Sequence, residues 1–401
     1  MGNKLAIDGG LPIRDKILVF GAPTFDEAEY NEVLDTLRSG WIGTGPKTQQ
    51  FEKEFAEYVG VHHAIAVNSC TAALHLGLIV AGVDTGDEVI TTPLTFAATA
   101  NVIIHQRARP VFADIDPTTL NIDPRAVERA ITSRTKAIIP VHFGGLACPM
   151  DELRSIAETH HLRIVEDAAH AVGTRYKGRL IGGLGNLTCF SFYANKNLTT
   201  AEGGMIVTNN DQEAEQLAIY RLHGLSRDAW MRYHSHRLVL SDAVVPGFKY
   251  NMPDLQASLG LHQLRKLEGF LETREQYAQR YDAAFADLPG VRRQPRPKDF
   301  ATNRHGLHLY VLIIDPQQFR VDRNQIVAAL LAENIGAAIH YRALHTHPFY
   351  RDEFGFQPQD FPQAAMIGDN IFTLPLTPGM SEDNVNEVIE AVYKVLGAYR
   401  K

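Results

Sequence analysis

The chain has few cysteines, no long apolar run and no block of a single charge. Its 401 residues include three cysteines, Cys70, Cys148 and Cys189, none of them in a Cys-x-x-Cys pair. That spacing excludes a disulfide framework and a zinc ribbon. No apolar stretch reaches the roughly 20 residues that cross a bilayer. The opening Met1–Gly10 lacks the apolar core of a secretory leader. Neither a membrane helix nor a signal peptide is expected, and a reducing cytoplasm is the expected location. Net charge is −7 without a basic run, so nucleic-acid binding has no electrostatic support. There is no repeat of 20–50 residues and no low-complexity tract. Gly182-Gly183-Leu184-Gly185 lacks the Gly-x-Gly-x-x-Gly spacing and does not open a helix after a strand, which argues against a dinucleotide site.

What the chain does have is alternation. Short apolar runs at 64–67, 88–91, 110–113, 137–141, 163–166, 187–192 and 204–208 alternate with helical patterns, such as 71–80 and 150–160. This predicts an α/β fold with a mostly parallel seven-stranded sheet and helices on both faces. The last two runs are close together and are candidates for antiparallel pairing. After Asn251 the pattern changes. A long amphipathic helix spans 254–285, followed by a strand at 308–314, a helix at 323–333, a strand at 336–341 and a helix from the cap Ser381 to Leu396. The expected division is a large α/β domain, 1–260 with an N-terminal arm, and a smaller α+β domain, 261–401. Residues 294–298 read as a loop of the smaller domain.

Lys196 follows the run Phe190-Ser191-Phe192-Tyr193 and is soon followed by Gly203-Gly204. An amine at a strand end among aromatics loses water, which lowers its pKa and favours the neutral nucleophile of a Schiff base. Asp167 ends the apolar run 163–166 and points toward the crevice where parallel sheets bind ligands. A carboxylate there can hold a protonated pyridine nitrogen; it equally reads as a helix cap. His170, one turn on, is within reach of a ring hydroxyl or is a satisfied structural histidine. Asn68-Ser69-Cys70-Thr71 opens a helix after a strand, a pattern suited to phosphate and also to ordinary capping. Ser191 is a second phosphate candidate, facing away from Phe190 and Phe192 if the segment is extended. Phe96, just past the run 88–91, could stack on a planar ring or lie in the core.

Together these segments carry a resemblance. The order of phosphate turn, aromatic, Glu166-Asp167-Ala168-Ala169-His170 and Ser191-x-x-x-x-Lys196-Asn197 resembles the fold type I pyridoxal phosphate (PLP) enzymes. With Gly40–Pro46, Glu202-Gly203-Gly204 and Gly247–Met252, it is more closely similar to the DegT/StrS sugar aminotransferases, from about Gly21 to the C-terminus. The resemblance implies a PLP-dependent aminotransferase in which Lys196 carries the cofactor as a Schiff base and later moves the proton. It implies that Asp167 pairs with the ring nitrogen, His170 lies near the ring oxygen and Phe96 stacks on the ring. Ser69, Cys70, Thr71 and Ser191 would surround the phosphate. A homodimer with shared active sites is implied, with Lys249 or Asn251 reaching the partner's phosphate. Cys70 stands where many relatives have glycine. Lys249-Tyr250-Asn251 departs from the common Gly-x-Asn-x-Arg pattern and resembles the branch that forms UDP-4-amino-4-deoxyarabinose. Family members that act as dehydratases carry histidine at the lysine position, so Lys196 argues against that chemistry.

The implied substrates are a nucleotide-linked keto sugar, favoured as a UDP-linked 4-keto sugar, with L-glutamate as amino donor. A 3-keto sugar or a keto-inositol is the alternative within the same chemistry. A PLP- or nucleotide-sugar-binding protein without turnover is the alternative outside it. His340, His345 and His347 do not have the spacing of a helical metal pair, and no metal is expected. The resemblance places His340 and Tyr341 beside the sugar, with Trp41, Gly43 and Thr44 as the opposite wall, where glycines let main chain approach a ligand.

Overall fold

The computed structural model describes residues 4–225, 242–297, 299 and 302–401; Lys298, in the expected 294–298 loop, lies outside them. In chain order the first elements are α1 (Glu27–Ser39), α2 (Pro46–Val59), β1 (His63–Val67), α3 (Cys70–Val80), β2 (Glu88–Thr91), α4 (Ala97–His105) and β3 (Arg109–Phe112). Next come α5 (Pro124–Ala130), β4 (Thr135–Ile139), α6 (Met150–Thr159), β5 (Arg163–Asp167), the hairpin β6 (Arg175–Tyr176) and β7 (Arg179–Leu180), β8 (Leu187–Ser191), β9 (Gly204–Thr208) and α7 (Asp211–Tyr220).

Seven of these strands form one sheet in the order β1-β9-β8-β5-β4-β2-β3. Only β9 runs against its neighbours; the other pairings are parallel. β8 and β9 are buried along their whole length, and strands covered on both faces in this way read as mostly apolar rather than alternating. One face packs on α2, α5 and α6 through Phe51, Phe55, Val127 and Leu153. The other packs on α3, α4 and α7 through Leu74, Val102 and Leu217.

The second half begins with α8 (Asp254–Ala284), followed by β10 (Val291–Arg293), β11 (Tyr310–Ile314), α9 (Arg323–Ala332), α10 (Pro348–Phe354), α11 (Pro362–Asn370), β12 (Ile371–Leu374) and α12 (Glu382–Tyr399). At 31 residues, α8 is about 46 Å long. Its Leu261, Leu264 and Leu267 belong to the first core. Its Ala278 and Tyr281 belong to a second core with Phe285, Leu312, Phe372 and Val392. β10, β11 and β12 form a small antiparallel sheet.

Two features differ from the sequence reading. The segment 336–341 is not a strand. It touches the small sheet through one bridge, Ala338 to Thr373, while its start is bound to the N-terminal arm, with Gly336 N–H donating to Leu18 O at 2.9 Å. The strand beside β11 is instead β12, whose four residues are too few to show a period. The arm also packs on the C-terminal core. Leu5 is buried there, and the Ala6 and Ile13 N–H groups donate to the Glu333 carboxylate at 2.9 and 3.0 Å. No described helix is long and apolar enough to cross a membrane.

Candidate active site

The sheet brings three chain segments together at one end of its central strands. β5 and β8 are parallel neighbours, with Asp167 opposite Cys189. Asp167 therefore emerges beside the turn that carries Lys196, where Lys196 N–H donates to Tyr193 O at 2.9 Å. The N-terminus of α3 lies against β9, and a Cβ on Gly204 would meet the Ser69 carbonyl carbon at 2.5 Å. Ser69 caps that helix, its hydroxyl accepting from Ala72 N–H at 3.1 Å.

These segments enclose a cavity of about 450 Å³. Ser69, Cys70, Thr71, Phe96, Asp167, His170, Ser191, Lys196, His340 and Tyr341 all line it. Phe190 and Phe192 pack on the opposite side, in the core. Phe96, 62% exposed, lines the cavity with its ring centroid 6.0 Å from that of Tyr341. Trp41, Gly43, Thr44, Lys249 and Asn251 lie outside the lining. Thr44 Oγ1 accepts from Asn251 Nδ2 at 2.6 Å, and Trp41 Nε1 donates to Thr44 O at 3.1 Å. Lys249 is exposed, and among the described residues its ammonium has no partner. The three histidines of 340–347 diverge. His340 pairs with Thr373 at 2.8 Å, His345 packs against Phe361, and His347 meets Arg342 O.

Burial removes water from the Lys196 ammonium and brings its pKa down to about 8, against the pull of Cys70 and Asp167. Burial pushes Asp167 above the usual carboxylate range, opposed by donors from Thr99 Oγ1 at 2.8 Å and Ala169 N–H at 3.1 Å. Burial also holds His170 well below its ordinary value. Neutral His170 is engaged at both nitrogens: Nδ1 accepts from Gly144 N–H at 3.3 Å and Nε2 pairs with Tyr341 Oη at 3.0 Å.

His308 was missed in the sequence. Its Nε2 lies 3.2 Å from Lys196 Nζ, and its ring centroid is 4.5 Å from that of His170. Position 308 opens an apolar run and reads as the start of a strand. The only hint was a second histidine, His305, at the mouth of the same run.

The donor set fits PLP. It combines an amine that can be neutral, a buried carboxylate without a cationic partner among the described residues, and a helix N-terminus with hydroxyls for a phosphate. A mostly parallel sheet carrying such a lysine and acid at the ends of its central strands defines a carbonyl-cofactor enzyme of the α/β class. Residues 23–393 match the DegT/DnrJ/EryC1/StrS aminotransferase family, and the chain belongs to it. It is similar to the spore coat polysaccharide biosynthesis protein SpsC of Bacillus subtilis, 50% identical over 96% of this chain and 98% of that protein. Spr1654 from Streptococcus pneumoniae, solved in PMP and PLP forms, superposes with TM-scores of 0.89 and 0.88. It is 35% identical over 95% of this chain and 99% of its own. Helicobacter pylori PseC, an aminotransferase involved in the biosynthesis of pseudoaminic acid, gives 0.88 at 29% identity over 96% and 100% of the two chains.

Proposed function

We propose that the protein is a PLP-dependent aminotransferase that converts a nucleotide-linked keto sugar to the amino sugar, with L-glutamate as amino donor. The observation that carries this reading is the Lys196 amine, brought to about 8 in one cavity with Asp167 and the N-terminus of α3. At pH 7 roughly a tenth of such an amine is neutral, against well under a thousandth for an ordinary lysine. The sugar class is supported by the relatives, SpsC in polysaccharide biosynthesis and PseC in pseudoaminic acid biosynthesis. A UDP-linked 4-keto sugar is favoured from the Lys249-Tyr250-Asn251 segment.

When bound, PLP supplies a carbonyl that condenses with primary amines and a ring that accepts the electron pair left by deprotonation. With the cofactor bound, Lys196 Nζ would anchor it and would take the proton at the donor's α-carbon. In the second half of the cycle Nζ delivers a proton to the sugar carbon that gains nitrogen. Asp167 would keep the ring nitrogen protonated, and Phe96 would cover the ring. His170 would hold the ring oxygen through Nε2, in place of its contact with Tyr341 Oη, while His340 and Tyr341 would border the sugar. Ser69, Cys70, Thr71 and Ser191 surround the phosphate. We further propose a homodimer that shares its sites, working in the cytoplasm. Asn251 is tied to Thr44 of its own chain, whereas Lys249 is exposed, so Lys249 is assigned the contact with the partner's phosphate. Trp41, Gly43 and Thr44, outside the lining of their own cavity, would wall the partner's. With the division proposed at residue 260, the cavity would draw on both domains, since Asp167 and Lys196 line it from the larger and His308, His340 and Tyr341 from the smaller.

The test is a half-reaction. Loaded protein mixed with L-glutamate should lose the absorbance of lysine-bound cofactor at roughly 410–420 nm, and borohydride followed by peptide mapping should find the pyridoxyl tag on Lys196. Absorbance that persists with every amino donor tried would rule out transamination. Lys196→Ala should bind PLP without a reducible link.

A further inference from the structure

His308 enters the cavity from a chain segment pinned on every side. Asn197, the neighbour of Lys196, donates Nδ2 to Gly306 O at 2.6 Å. Gly306 N–H donates to Gly145 O at 2.8 Å, and Leu309 N–H to Gly144 O at 3.1 Å. Buried Arg274, on α8, donates Nη1 to Leu307 O at 3.1 Å. Leu307 itself has φ +51°, a left-handed conformation that is unfavourable for a residue carrying a β-carbon. Such strain persists only where the surroundings over-determine the backbone. Here the clamp fixes the position of the next side chain, His308.

We propose that His308 is a positioning residue for Lys196: its Nε2 accepts a hydrogen bond from Nζ and leaves the amine's lone pair free for the reacting carbon. The inference rests on the reading of Lys196 as the cofactor-bearing amine. In this arrangement the imidazole proton sits on Nδ1, which has no partner among the described residues. The orientation of the ring is therefore held by the clamped segment. Burial and the neighbouring Lys196 keep the ring neutral, well below the ordinary histidine value, as an acceptor must be. The charged and titratable groups facing Lys196 are Cys70, Asp167, His170, His308 and His340. Of these, only His308 hydrogen-bonds to Nζ.

The test compares His308→Phe and His308→Gln with the unaltered full-length protein. In cofactor-free protein, competitive acetylation read by mass spectrometry gives the pH midpoint of Lys196 reactivity. Removing an acceptor disfavours the ammonium, so His308→Phe should lower the midpoint by half a pH unit or more, and His308→Gln, which retains an acceptor oxygen, should restore part of it. In loaded protein, the single-turnover rate with L-glutamate should fall on the order of 10- to 100-fold in His308→Phe, with the glutamate concentration for half-saturation changed less than twofold. An unchanged or raised midpoint in His308→Phe overturns the proposal. If that variant does not fold, His308→Leu takes its place, and an unchanged or raised midpoint there overturns the proposal. Borohydride mapping of the unaltered protein separates the two ideas. A tag away from Lys196 removes the reading beneath this one, while a tag on Lys196 with an unmoved midpoint removes only the role of His308.

Discussion

Burial brings the Lys196 ammonium from 10.5 to about 8, and the neutral amine is the form that attacks a carbonyl. The rate of PLP capture by cofactor-free protein should therefore rise about tenfold per pH unit below 8 and level off above it. Stopped-flow absorbance across pH 6–10 reads this directly; a rise continuing to pH 10 would mean an unperturbed lysine. Asp167 is buried with two donors and no salt-bridge partner among the described residues. Asp167→Asn keeps the shape but cannot hold the ring proton. The variant should still take up PLP, while its single-turnover rate with glutamate falls at least about 100-fold. Both residues were legible in the sequence because each ends an apolar run, where chemistry-bearing residues interrupt the pattern. His308 was not, because its role depends on a Leu307 backbone conformation and a clamp from Arg274 and Asn197 that no local pattern announces.

The N-terminus of α3 depends on a neighbouring strand. A Cβ on Gly204 would sit 2.5 Å from the Ser69 carbonyl carbon and 2.6 Å from Cys70 N, both backbone atoms that cannot swing aside. Gly204→Ala should push β9 away from α3, costing about 1–3 kcal/mol in urea melts and weakening PLP binding measured by titration. Helix α2 has a glycine at its cap and no side-chain cap of its own. Asp254 of α8 supplies one, accepting from Gly45 N–H at 2.8 Å, Lys47 N–H at 3.1 Å and Thr48 N–H at 2.9 Å. Asp254→Ala should cost about 2–3 kcal/mol, visible as a lowered denaturant midpoint. The strands of the large sheet were readable because burial on both faces gives them continuous apolar runs. The small sheet was harder. Residues 336–341 look like a strand but are held by the arm at Leu18, and β12 is only four residues long. A long-range partner decided each case.

For the whole molecule, the proposed sharing of sites makes a mixing test possible. Lys196→Ala lacks the amine, and Lys249→Ala lacks the proposed reach to the partner's phosphate. Each homodimer should be weak or inactive. Unfolded together and refolded at equal amounts, half the dimers should be mixed, each with one complete site, so activity should recover to about a quarter of that of the unaltered protein. No recovery, with mixed dimers shown by native mass spectrometry, would mean that each chain builds its site alone. The same scale shows what the 31-residue α8 does to cooperativity. Because this one rod is embedded in both cores, neither half can melt without stripping apolar side chains from the other. A scanning calorimeter should record a single endotherm for the cofactor-free protein rather than two resolved peaks.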